Sequence, residues 1–324
     1  MGERFFVTGA TGCIGAWTVR NLVRENVPVC ASVRGPERHR LDLIMTAEEL
    51  ARVEYRTGDI TDLDFLERTI KDFGANRVIH LAAMQLPFCK ADPPRGALTN
   101  VLGTVNVFEA VKRAGLKSLV YSSSTAVYGR PEEYPAGPLP HGAPLQPRSH
   151  YGVYKQANEC GARVYWMDDG LASVGLRPYV IYGPGRDQGM TSTPTKAMLA
   201  AALGKEYRIS YGGRFAFQYA DDAAKAFIRA ARVPFEGAEV FDIGGRTVSM
   251  EEVVTAIGDA CPGSRGKITF EDVQLPFPEE VENGAMVSLL GKYRETPLRE
   301  GVAATIGLFR EAIADGRIPR DSLD

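Results

Sequence analysis

Tyr151 and Lys155 are four positions apart, so a helix over about 150–169 stacks them on one face. A free tyrosine has a pKa of about 10 and is a poor base near neutrality. An ammonium one turn away favours the phenolate. That tunes the pair to exchange a proton with an alcohol or carbonyl oxygen. The run Ser122-Ser123-Ser124-Thr125 ends a β-rich segment, where a hydroxyl can polarise the same oxygen. The hydrolytic alternative needs a histidine base and a GxSxG elbow. The segment "YSSSTAVYG" is not such an elbow, and His141 and His150 fall in or beside a proline-rich stretch.

A second constellation opens the chain. The first β-rich run enters Gly9-Ala10-Thr11-Gly12-Cys13-Ile14-Gly15 and then an amphipathic helix. The first glycine allows the turn, the second lets backbone approach a phosphate, and the third lets the helix pack closely on the sheet. The helix N-terminus offers unpaired N–H groups to a pyrophosphate. A tight structural turn is the competing reading. Acid/base chemistry beside such a turn points to a nicotinamide cofactor, whose oxidised positive ring also favours phenolate. The second strand ends "ASVRGPER" without an acid at its tip. Ser32 and Arg34 stand where an acid would read the ribose 2′-hydroxyl, and an arginine there either attracts a 2′-phosphate or is merely solvated at the strand end. NADP(H) is therefore favoured, with NAD(H) as the alternative. Asp59 in "TGDITD" either bonds the adenine amino group or starts the turn before the next helix.

The elements that must position these residues alternate. β-rich runs at "RFFVTG", "VPVCASV", "RVEYRTGD", "RVIHLAA" and "SLVYSSS" are separated by helical stretches at about 13–26, 61–72, 95–114 and 150–169. Such alternation implies βαβ units and a parallel sheet covered on both faces. The stretch 129–149 holds Pro131, Pro135, Pro138, Pro140, Pro144 and Pro147, which forbids a helix or a central strand. It reads as a long loop, either a rigid connection or a wall over a site. Further on, "AFQYADDAAKAFIRAA" is an extended piece feeding a helix, with Asp221 or Asp222 near its cap. Ser249 and Glu252 form a capping box before another helix, and the tail from 300 to 310 is helical.

The 324 residues suggest one large or two modest domains. The formal charge of -2 gives no reason to expect nucleic acid or an anionic membrane as partner. No apolar run is long enough to cross a bilayer, and an apolar strand begins after four residues, where a signal peptide would stand. Five scattered cysteines and four histidines form no metal motif. No metal and a reducing, cytoplasmic setting are the expectation.

Together "TGATGCIG", "GDITD", "VIHLAA", "TNVLGTVNVFEAV", "VYSSSTAVYG", "YGVYK" and "LRPYVIYGPG" resemble the extended short-chain dehydrogenase/reductase family, which includes nucleotide-sugar epimerases and dehydratases. The resemblance covers nearly the whole chain. It implies a Rossmann-type doubly wound α/β fold, with residues 1–180 and about 215–247 as the dinucleotide-binding domain. A smaller α/β substrate domain would comprise about 181–214 and 248–324. It implies a homodimer built on two helices per subunit. It makes Ser124 the catalytic partner of Tyr151 and Lys155, and Asn100 a structural asparagine supporting the lysine through water. The implied cofactor wall comprises the glycine turn with Thr11, Cys13 and Ile14, then Ser32, Arg34, Asp59, Ile60, Leu81, Ala82, Ala83, Asn100, Tyr151, Lys155, Tyr179 and Val180.

The chain also departs from the sugar-nucleotide epimerases. Val180 stands where these commonly carry an asparagine near the substrate diphosphate. "LPFPEEVENGAM" replaces an Arg-Pro-Gly-Asp segment, and its Glu279, Glu280 and Glu282 repel anions. Arg186 and Arg214 are either anion contacts or surface arginines. "VPVCASVRGPE" looks like the second strand of dihydroflavonol-type NADPH reductases. These departures favour net redox on a small polar, sugar-like or alcohol substrate, with Gln85, Ser124, Thr125, Tyr182 and Arg214 as substrate-facing residues. The alternatives are an epimerase or dehydratase with retained NAD, and a nicotinamide-sensing module.

Overall fold

The computed structural model describes residues 2–292 and 295–323. Among them, strands run in chain order as β1 (Phe5–Thr8), β2 (Val29–Val33), β3 (Glu54–Thr57), β4 (Arg77–His80), β5 (Ser118–Ser122), β6 (Ala172–Arg177), β7 (Val180–Tyr182), β8 (Tyr207–Ile209), β9 (Arg214–Tyr219), β10 (Ala238–Asp242), β11 (Thr247–Ser249) and β12 (Ile268–Phe270). Seven form one sheet in the order β10-β6-β5-β4-β1-β2-β3. Every neighbouring pair in it is parallel. β1, β2 and β6 are buried along their whole length, as strands must be when helices cover both faces. The order reverses at β1, with β2 on one side and β4 on the other. That switch point leaves a crevice at the strands' C-terminal ends, where open α/β sheets bind ligands.

Helices Cys13–Arg24 and Ala220–Arg232 cover one face. Trp17 and Tyr219 meet there, with ring centroids 5.6 Å apart. Leu63–Phe73, Gly103–Arg113 and His150–Asp169 cover the other, packing Leu66, Ile70, Val107, Phe108 and Ala162 against Phe6, Val78 and Tyr121. Two smaller sheets, β11-β9-β7 and β12-β8, complete the molecule. Pro178 lies between β6 and β7, so the strand that "LRPYVIYG" suggests is two short strands in different sheets.

Three local expectations change. The helix expected from 61 begins at Leu63, because Asp62 caps it by accepting the Phe65 N–H at 3.0 Å. The helix expected over 95–114 is Pro93–Ala97, a π-helical turn Leu98–Leu102, and Gly103–Arg113. In stretch 129–149, Leu139 and Ala143 pack on Val127, Tyr128 and Val281, and Leu139 bridges to Val281. None of these residues lines the cavity, so the stretch packs on the body of the protein and adds no wall to that cavity. Ser249 and Glu252 do form the capping box.

Candidate active site

The crevice holds a cavity of about 550 Å³. One wall is the glycine turn after β1. Gly9 has φ +67°, a conformation other residues rarely adopt, and the Gly12 N–H donates to its carbonyl at 2.9 Å. A Cβ on Gly15 would strike the Gly9 carbonyl oxygen. Gly12 precedes the Cys13–Arg24 helix without a side-chain cap, so the helix N–H groups stay available to an anion. Thr11, Cys13, Ile14, Leu81, Ala82, Ala83, Ile60, Tyr179 and Val180 line the same cavity. Burial pushes the Cys13 thiol up to about 11, so it is a neutral wall residue.

Ser32 and Arg34 line the far end, Ser32 buried and Arg34 exposed. Asp59 also lines it, and its Oδ1 accepts from the Thr61 N–H and hydroxyl, both at 2.9 Å. Its side chain therefore starts the turn as well as facing the cavity. These residues fit a dinucleotide: an anion-ready turn and a cleft along the sheet edge, with the Arg34 cation at its far end.

At the other end, the helix that Ser149 caps, through the Gly152 N–H at 3.1 Å, carries Tyr151 and Lys155. Lys155 is 3 % exposed, donates to the Ser122 carbonyl at 2.6 Å, and holds Nζ 5.7 Å from the Tyr151 ring centroid. Burial lowers its pKa to about 8, against the opposing pull of Cys89 and Glu159. The Tyr151 phenol is pushed up by burial, while the Ser124 hydroxyl and the Arg186 charge pull it down. Ser124 follows β5, and its Oγ accepts the Ala126 N–H at 3.2 Å. The arrangement can protonate or deprotonate one substrate oxygen placed between Ser124 and Tyr151.

Asn100 does not line the cavity. It sits in the π-helical turn, accepts the Met84 N–H at 2.7 Å and donates to the Met84 carbonyl at 2.9 Å. The Asn158 amide and Thr104 hydroxyl donate to its own carbonyl. It thereby pins the start of the segment carrying Gln85 to the helix carrying Lys155.

Gln85, Ser124 and Thr125 line the cavity, but two substrate expectations are corrected. Tyr182 is 1 % exposed and stacks on Phe217 at 4.0 Å, because β7 and β9 pair directly. Arg214 lies outside the cavity and pairs with Glu279 at 3.8 Å. Conversely, Arg186 is a cavity residue and not a surface one. Arg40, which sequence reasoning passed over, also lines the cavity. It donates to the Thr11 carbonyl at 2.9 Å and grips Asp187 through Nε and Nη2. No local pattern marks Arg40, since its partners lie 29 and 147 residues away.

Comparisons with known proteins agree with this geometry. The family model described as "NAD dependent epimerase/dehydratase family" matches residues 5–244. A UDP-glucose 4-epimerase of Mycolicibacterium smegmatis is 31 % identical over 316 residues, 95 % of this chain and 98 % of the relative. The UDP-glucose 4-epimerase of Thermus thermophilus, solved in complex with NAD, superposes with a TM-score of 0.79 at 25 % identity, over 96 % of this chain and 100 % of that one. The L-threonine dehydrogenase of Clostridium difficile shares the fold, with a TM-score of 0.83 at 20 % identity over 96 % of this chain and 98 % of that one.

Proposed function

The chain belongs to the NAD-dependent epimerase/dehydratase family of the extended short-chain dehydrogenases/reductases, and from that premise we propose that it interconverts a hydroxyl and a carbonyl on a small polar substrate. The carrying observation is that Ser124, Tyr151 and buried Lys155 line one end of a cleft that has the anion-ready glycine turn as a wall. The nicotinamide, when bound, supplies the two-electron exchange with the substrate carbon. Ser124 holds the substrate oxygen and Tyr151 exchanges its proton. Lys155 keeps the phenol's proton mobile by its charge, and its hydrogen bond to Ser122 fixes its position. Burial excludes water and strengthens each of these interactions.

Two features favour net redox with NADP(H). Arg34 lines the cavity beyond a β2 tip without a carboxylate. Val180 and the Glu279-bound Arg214 offer no grip on a diphosphate. A second reading, a nucleotide-sugar epimerase with retained NAD, is favoured by the likeness to the Mycolicibacterium epimerase along nearly the whole chain. It expects cofactor absorbance in the purified protein and stabilisation by UDP-sugars. Exposed apolar residues on two adjacent helices, Val153 and Leu98 among them, support a homodimer.

Tyr151→Phe is the direct test. Turnover, followed at the nicotinamide absorbance, is expected to fall by at least about 10²-fold, the scale of a lost acid/base catalyst, with cofactor affinity unchanged. Retained turnover would remove Tyr151 from the chemistry.

A further inference from the structure

Arg186 is a charge the protein leaves unmatched inside the cavity. It lines the wall beside the Tyr151 end, and among the described residues no carboxylate pairs with it. Its neighbour Asp187 is spent on Arg40 and His39. The guanidinium donates from Nη2 to the Thr191 hydroxyl at 2.9 Å, while its Nε is enclosed without an acceptor. A partly desolvated cation with one neutral acceptor is costly unless something anionic completes it.

A second polar group stands beside the guanidinium. Gln85, from the segment after β4, brings its amide to the same spot, with Oε1 unpartnered; an amide turns over readily, and in the other orientation it presents an N–H donor to an anion there. Gly189, at φ +94°, packs against both: a Cβ there would strike Gln85 Oε1 and lie 3.3 Å from Arg186 Nη2, so its missing side chain is what lets the Gln85 amide and the guanidinium come together. The two chain segments that make this corner, after β4 and after β7, are not the glycine turn. The pyrophosphate already has that turn's N–H groups, so the corner belongs to the substrate's share of the cavity. One unmatched cation suits a monoanion; a diphosphate asks for more. Arg34 and Arg95, which also line the cavity, are exposed and so keep their hydration.

We propose that Arg186, with Thr191 and Gln85, is the recognition site for a carboxylate on the substrate, so that the enzyme acts on a hydroxy acid or sugar acid and not on the neutral sugar. This inference rests on the redox reading above for what happens to the bound molecule, but not for what binds. A planar carboxylate accepts paired hydrogen bonds from a guanidinium, and a hydroxyl in its place leaves the charge unmatched.

The test is equilibrium binding to the nicotinamide-loaded enzyme of matched probes: D-glucuronate against D-glucose, D-galacturonate against D-galactose, D-glycerate against glycerol, and UDP alone. In at least one pair the acid is expected to bind tenfold or more tightly than its neutral partner. Arg186→Gln should abolish that preference, Arg186→Lys should restore part of it, and neither should change NADPH or NADH affinity by more than twofold. Equal binding within every pair overturns the proposal, as does binding of UDP with no acid preference. Loss of cofactor affinity in Arg186→Gln by the same factor as loss of the acid would instead assign the charge to the pyrophosphate. Hydride transfer is followed separately with every probe that binds. Acid preference without nicotinamide reduction would sink the redox reading and leave the carboxylate site standing.

Discussion

At the scale of single residues, burial changes what each ionisable group can do. Lys155 is lowered to about 8 by burial, so its charge is sensitive to pH just above neutrality. His80 is pushed down to about 3 by burial, with the Lys155 charge adding to the effect. Thr104 gives its proton to the Asn100 carbonyl at 2.7 Å, so His80 Nε2 donates to Thr104 at 3.0 Å and Nδ1 accepts from Thr8 at 2.7 Å. That is a neutral ring with both nitrogens used. Between about 6.5 and 3 the unfolded chain binds a proton that the native state refuses, so stability falls as pH drops through that window. From pH 7 to pH 5 the loss from this one residue is about 2 kcal/mol. Urea unfolding should register it, and His80→Gln should flatten the slope; an unchanged slope would exonerate the histidine. Arg34 bears on cofactor choice: Arg34→Ala is expected to weaken NADPH by tenfold or more while NADH changes little, as measured by fluorescence titration. Equal losses would end the 2′-phosphate role.

At the scale of elements, the His150–Asp169 helix works on two faces. Lys155, Asn158, Glu159 and Ala162 face inward. Val153, Ala157, Cys160, Val164 and Met167 are exposed and spaced 4, 3, 4 and 3 residues apart, the spacing of a helix-pairing seam. Leu98, Leu102 and Val105 are exposed beside it, on the helical run containing the π turn. An apolar stripe of this kind on two adjacent helices is what the proposed homodimer would cover. Met167 is 70 % exposed, so Met167→Glu should leave the fold intact. Light scattering is expected to show a dimer for the parent and a shift towards monomer for the variant; a monomeric parent would refute the pairing. The π turn has its own consequence. One extra residue per turn at Leu98–Leu102 re-aims Asn100 inward, where it bonds Met84, and a regular helical periodicity cannot announce it.

At the scale of the whole molecule, a buried polar network that reaches the cavity only at Ser123 joins four distant parts of the chain. Arg177 at the end of β6 donates to both oxygens of Glu159, at 2.8 and 2.7 Å, and to Tyr128 at 2.6 Å. Tyr128 donates to Asp242 of β10 at 2.6 Å, and Ser123 bonds Glu159. This ties the residue before Ser124 to the helix one turn beyond Lys155. Arg177→Met would strand two buried carboxylates, and a cost of about 3–5 kcal/mol is expected from such a broken pair, read by urea unfolding; a loss below roughly 1 kcal/mol would show the network to be dispensable. The amino-acid sequence alone determined whatever depends on neighbours within a few positions. That covers the glycine turn, the Tyr151/Lys155 face, the Ser249 capping box and the alternation that makes a parallel sheet, because backbone geometry repeats about every two residues in a strand and about every 3.6 in a helix. Tertiary structure decided what depends on which strands become neighbours. Tyr182, polar and near the site in sequence, was buried by β9. Arg214 was claimed by Glu279. Arg186, indistinguishable in sequence from any loop arginine, was turned into the cavity with no carboxylate partner among the described residues, because charge compensation is a property of space and not of sequence distance.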